Sequence, residues 1–184
     1  MDFSIEHYGW NQVGPFPEVS GSIHLNALNF NVQFDVRESD FRAVHSVHNA
    51  MVYEDSCVEM FFQPYTFDER YINIEINPIG TVLAAIGEER NGRTFFTEKQ
   101  IHALDVKTAI SRGANEVHWS VQYAVPYALI AELFGIDHNA EPDSLRCNLY
   151  KCGDLLSNPH WGSWKPIHTE QPDFHRPEFF ARCI

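Results

Sequence analysis

Basic residues are in short supply. Thirteen Lys and Arg stand against 25 Asp and Glu, for a formal net charge of -12. An acidic surface without basic clusters repels nucleic acid and anionic membranes, so neither is expected as a partner. Neutral and cationic ligands remain open. Long apolar runs are missing as well, and no stretch approaches the roughly 20 residues that span a bilayer. The opening "MDFSIEHYGW" has no basic n-region and no apolar h-region. A cytoplasmic protein is the direct expectation, or a secreted or periplasmic one if a leader has been removed. Motifs of the common catalytic and metal sites are absent: there is no HExxH, GxSxG, P-loop, dinucleotide fingerprint, CxxC pair or EF-hand loop. The four cysteines, Cys57, Cys147, Cys152 and Cys183, lack zinc-finger spacing and are read as free thiols. Cys147 and Cys152 differ in parity, so on one strand they would face opposite ways.

Ten histidines do not make up for the missing metal motifs. His45 and His48 are three apart, and His160, His168 and His175 cluster late in the chain, but none sits in a ligand pattern. No cofactor is fixed by the sequence. Calcium stays open because of loop acids such as Asp40, Glu54, Asp55 and Asp68.

Helix signals are equally few. "PYALIAELFG" opens with Pro126 at a first-turn position and stops at Gly135, which predicts one short helix from Pro126 to Phe134. A short turn is expected over "DFRAVHSVHNA". What the chain has in quantity is period-2 alternation. "LNFNVQFDVRE" puts Leu28, Phe30, Val32, Phe34 and Val36 on one face; "YINIEIN" puts Ile72, Ile74 and Ile76 inward and Tyr71, Asn73, Glu75 and Asn77 outward. "TVLAAIG", "HWSVQYAVP", "LRCNLYKC" and "PEFFARCI" read as further strands, and "NPIG" as a hairpin turn. With 44% apolar residues in 184, the chain can bury a core. The pattern predicts an all-β protein: a two-sheet antiparallel sandwich of jelly-roll type with one short helix, forming one domain over 1–184. Phe30, Phe34, Val58, Met60, Phe62, Ile74, Trp119 and Val121 are the predicted core.

One strand breaks the pattern. In "CVEMFFQ", Val58, Met60 and Phe62 share a core face, which leaves Cys57, Glu59 and Phe61 together on the other. That face is too apolar for a solvated surface and too polar for a core. Beside "YINIEIN" it would carry a row of carboxylates and carboxamides, groups that donate to and accept from sugar hydroxyls. The bland alternative is the solvated outer face of a sandwich. Aromatic Tyr53, Trp161 and Trp164 lie in or near loops, where rings are less readily core.

The blocks "VYEDSCVEMFF", "YINIEINPIG", "WSVQYAVP", "CNLYKCGD", "PHWGSWKPI" and "PDFHRPEFF", in this order, resemble the family 9-like carbohydrate-binding modules of the DOMON-like sandwich group, closest to their short single-domain bacterial members. The resemblance implies a non-catalytic protein that holds the end of a saccharide between two aromatic rings. By position it implies Tyr53 as the first ring, in place of the tryptophan of the characterised clamp, and Glu59 as the carboxylate. It implies Asn73 as an amide, Arg90 as the arginine with Arg93 as fallback, and Asn158 and Trp161 as the second amide and ring, with Trp164 the competitor for that ring. Two other readings differ in class. A haem-binding electron-transfer domain would need an axial pair such as Met51 or Met60 with a late histidine. A glycoside-active enzyme would use Glu59 and Glu75 as its carboxylates.

Overall fold

The computed structural model describes residues 1–10, 12–137 and 141–183. Its strands are β1 (Asp2–Ser4), β2 (His7–Tyr8), β3 (Glu18–Leu25), β4 (Asn29–Glu38), β5 (Cys57–Gln63), β6 (Tyr71–Ile76), β7 (Val82–Gly87), β8 (Thr94–Phe95), β9 (Lys107–Arg112), β10 (Val117–Pro126), β11 (Arg146–Cys152), β12 (Trp161–Ser163) and β13 (Ala181–Arg182). Helices α1 (Glu98–His102) and α2 (Tyr127–Phe134) interrupt them. The strands form two antiparallel sheets, ordered β1-β3-β4-β10-β9 and β2-β12-β11-β5-β6-β7-β8, with β13 beside β11.

Alternation decides how the sheets meet. Along β4, Phe30, Val32, Phe34 and Val36 are buried while Gln33 and Arg37, at alternate positions, are exposed. The eight predicted core residues all fall in the inter-sheet cluster, none more than 1% exposed. Phe62 meets Phe30 edge-on across the sandwich, ring centroids 5.2 Å apart. Leu28 is a correction: it is 75% exposed, because it lies in the turn before β4 rather than on the strand.

Turns and caps follow local chemistry. Gly80, at φ 82°, closes the β6–β7 hairpin by donating its N–H to the Asn77 carbonyl. Helix α2 starts after Pro126 and ends at Gly135 in the left-handed region. Helix α1 was not expected. Its signal is the capping box Thr97–Gln100, and five residues are too few for a helical period to show. "DFRAVHSVHNA" forms irregular chain with a turn at His48 and Asn49. "PEFFARCI" is strand only at β13, after a 3-10 turn at Pro177–Phe179; its final Ile184 lies outside the described residues.

Two further features tie the sandwich together. Lys151 of β11 points between the sheets and is fully buried; its Nζ lies 2.9 Å from Glu38 Oε2 of the facing sheet and donates to His160 Nε2 and to the Cys152 carbonyl. Trp119 Nε1 donates to the other Glu38 oxygen at 2.7 Å. Cys147 and Cys183 form a disulfide, correcting the expectation of four free thiols; Cys57 and Cys152 are free and buried. The cause is β13, which pairs with β11 and brings a cysteine from 36 residues downstream alongside.

Candidate functional site

The outer face of the second sheet is covered. The residues predicted to point outward on β6, Tyr71, Asn73 and Glu75, are all buried, as are Cys57, Glu59 and Phe61 on β5. Their cover is the C-terminal segment. Phe174 stacks on Tyr150 at 4.1 Å, His175 lies 4.7 Å from the Phe61 ring, and Phe180 packs edge-on against Tyr71. Tyr71 Oη and His175 Nδ1 are hydrogen-bonded at 2.8 Å. A second apolar cluster therefore lies outside the sandwich proper, built from Val52, Cys57, Phe61, Tyr71, Tyr150, Phe174 and their neighbours. The solvated-face reading of this sheet is overturned.

The cover does not close completely. A cavity of about 140 Å³ remains over the centre of the sheet. Its floor is Glu59 and Glu75, directly opposite one another on the antiparallel pair β5–β6, with Cys152 beside them. Tyr53 and Trp161 line its sides, with Arg90, Arg93 and Asp154, and Asp173 to His175 contribute a wall.

Each side chain has a local reason for its position. Tyr53 sits in a 3-10 turn, Val52–Glu54, just before β5, and its carbonyl accepts from Asp154 N–H at 2.9 Å. Trp161 opens β12 opposite Cys152, so the two share the outer face. Its indole donates to Asp154 Oδ1 at 2.8 Å, and Gln12 bonds its backbone on both sides. Arg93 donates to Asn73 Oδ1 at 2.7 Å and to the Arg90 carbonyl; Arg90 itself is mostly exposed, 3.7 Å from Asp173.

The structure thus gathers Tyr53, Glu59, Arg90 and Trp161 on one cavity. Asn73 lies beneath it, fully buried, donating to Glu75 Oε1 at 3.0 Å. Asn158 and Trp164 are elsewhere. Asn158 donates to Asp40 and to the Pro15 carbonyl and lines a separate hollow near His160. Trp164, three residues beyond Trp161, has the opposite parity: it packs against the inter-sheet core, with Lys165 Nζ 4.1 Å over its ring. Sequence reasoning passed over Asp154, Asp173, Phe174 and His175, although the block "PDFHRPEFF" carries three of them. The loop acids are engaged within the protein: Asp55 with Arg42 and Asn77, Glu54 with His45, Asp68 with Arg70, and Asp40 with Ser157 and Asn158.

The floor is electrostatically unusual. Glu59 accepts from Cys152 Sγ at 2.8 Å, and burial together with the Glu75 charge holds its carboxyl well above the usual range. Burial likewise pushes Glu75 up to about 7, against the pull of Arg93. Glu75 Oε2 is buried and has no hydrogen-bond partner among the described residues. His160 and His175 move the other way, each pushed down to about 3, chiefly by burial.

These shifts set the sign of the pH dependence. A raised carboxyl contributes stability that is whole below about 4.5 and is lost as pH rises through about 7. A depressed histidine contributes stability present above about 6.5 and lost as pH falls toward 3. Between those limits the trends oppose, so stability should decline on either side. Glu75 alone should cost about 1 kcal/mol above pH 6.5, out of about 3 kcal/mol over its whole range. Thermal melts across pH should show the alkaline decline in the parent and a flatter limb in Glu75→Gln. Equal limbs would assign the decline to other groups.

Comparisons with known proteins agree on the relatives. The model of the family described as carbohydrate-binding family 9 matches residues 2–183. A candidate carbohydrate-binding protein from Bacteroides uniformis, known from its crystal structure, is similar at 31% identity and a TM-score of 0.85, covering 99% of this chain and 84% of its own. A family 9 carbohydrate-binding module from Caldicellulosiruptor kristjanssonii, solved with cellotriose, is similar in fold, with a TM-score of 0.55 at 9% identity over 99% of this chain and 80% of its own. No curated protein matches.

Proposed function

Because the chain belongs to carbohydrate-binding family 9, we propose that it binds a saccharide, with one sugar unit between Tyr53 and Trp161 over the Glu59–Glu75 floor. The observation that carries this reading is the floor itself. Two carboxyls are buried side by side under a cavity walled by aromatic rings, two arginines, Asp154 and Asp173, and one of their oxygens has no partner among the described residues. Burying such groups unpaired is costly, and a hydroxylated ligand relieves it by donating to them. The rings supply apolar contact to the C–H faces of the sugar, and Arg90 and Arg93 supply donors at the rim. The family relation and the cellotriose bound to the structurally similar module support the ligand class.

The same geometry weighs against the competing readings. Glycosidic cleavage needs two carboxyl groups flanking the bond. Glu59 and Glu75 are instead committed to the floor, Glu59 accepting from Cys152 Sγ and Glu75 from the Asn73 amide, which suits holding a sugar. A haem held by Met60 and His175 would need both on one side of the sheet; Met60 lies in the inter-sheet core and His175 on the opposite face, against Phe61.

A glycan array on the intact protein should identify a ligand, and calorimetry with that glycan tests the residues. Glu59→Gln should weaken binding by roughly ten- to hundred-fold, because the amide puts a second donor where the carboxyl accepts and a mismatched buried polar contact costs about 1 to 3 kcal/mol. Trp161→Ala should cost a similar factor through lost stacking. Both variants must first show a native melt. Parent-like affinity in both would place the ligand elsewhere on the protein.

A further inference from the structure

We propose that Cys57, Cys152 and Glu59 form a binding site for a thiophilic divalent cation, zinc by the chemistry of its ligands. Cys57 on β5 and Cys152 on β11 are directly opposite in the antiparallel register. Glu59 is two residues along β5 from Cys57 and so shares its face. One ligand atom from each lies within 4.8 Å of the others, and all three residues are buried. Two thiolates and a carboxylate are a donor set that zinc takes and that magnesium and calcium do not.

The geometry is close to what such an ion needs. Tetrahedral zinc puts two sulfurs about 3.8 Å apart, and a sulfur about 3.5 Å from a carboxylate oxygen, given the usual bond lengths. Cys152 Sγ and Glu59 Oε1 are 2.8 Å apart, so they must separate by less than an ångström to admit it. The other cysteine pair in the chain is oxidised; this one is free.

The surroundings supply the rest. Glu59 and Cys152 line the cavity, so an oxygen entering from it can take the fourth position. Glu75 Oε2, buried on the same floor without a partner, is placed to accept from a water held there. Two thiolates and a carboxylate carry three negative charges against the two positive charges of the ion. Arg93, which reaches the floor through Asn73, offsets the excess. On binding, each thiol releases its proton to solvent as its sulfur–metal bond forms, and the Glu59 carboxyl releases its own where it is protonated, with no change of oxidation state.

The test uses cadmium as a spectroscopic stand-in on the purified chain, with no sugar present, so its result is independent of the saccharide reading. Two titratable thiols are expected after unfolding, and one equivalent of cadmium should produce a sulfur-to-metal charge-transfer band that zinc removes. Cys57→Ser and Cys152→Ser should each abolish the band while keeping the parent's melt. Should either fail to fold, Glu59→Gln keeps both sulfurs and is expected to retain the band with at least about tenfold weaker affinity. The proposal falls if the folded, reduced protein gives no band, if the band survives in a folded serine variant, if Glu59→Gln binds as tightly as the parent, or if no free thiol is found.

Discussion

Phe62→Ala should lower the unfolding free energy by about 3 to 5 kcal/mol. The side chain is fully buried at the centre of the sandwich, edge-on to Phe30 of the facing sheet. Truncation removes most of a ring's apolar area from the core and leaves a void bounded by two sheets. Sheets held in register by their ladders cannot close it. The strands on either side of β5, β11 and β6, are fixed by continuous pairing along its length. A domain with a typical stability of about 5 to 15 kcal/mol would survive the loss narrowly. Urea denaturation of parent and variant measures it. A difference below about 1 kcal/mol would mean that Phe62 does not face the core.

Lys151→Met should cost a comparable amount, about 3 to 5 kcal/mol, by a different route. The substitution keeps the volume but removes a charge. Glu38 is left buried with only the Trp119 indole to solvate it, and His160 loses its donor. Most of the penalty belongs to the stranded carboxylate and not to the lost attraction. The double variant Lys151→Met/Glu38→Gln should therefore recover at least half of the loss, because a neutral amide can keep the Trp119 bond. If the double variant is no better than the single, the lysine stabilises through its packing over Trp119, 5.9 Å from the ring, and not through the ion pair.

Parity made much of this molecule readable in advance. It separates Phe30, Val32, Phe34 and Val36 from the polar residues between them, and Val58, Met60 and Phe62 from Cys57, Glu59 and Phe61. It says which face a residue takes. It does not say what lies over that face. The cover on β5 and β6 is a segment roughly a hundred residues downstream with almost no regular structure, so no periodicity announces Phe174 and His175 as neighbours of Phe61. Trp161 and Trp164 show the same limit on a small scale. Only the pairing of β12 with β11 reveals that the first shares the face of Cys152 while the second turns inward. The family resemblance implies Asn158 as the second amide, but its backbone N–H is held by Asp40 and its side chain by the Pro15 carbonyl, away from the cavity. The Cys147–Cys183 bond depends on β13, two residues long, a length at which alternation carries no signal.

That bond also divides the candidate site topologically. Residues 147 to 183 form a covalent ring, and Asp154, Trp161 and the Asp173 to His175 wall lie on it, whereas Tyr53, Glu59 and Glu75 do not. The cavity is the seam between a closed loop and a linear chain. Proteolysis at the exposed Glu170–Gln171 peptide would open the loop without releasing a fragment, since both new ends stay fastened to β11, one by the backbone and one through sulfur. After that single cut, the wall leaves β11 only once the disulfide is reduced as well.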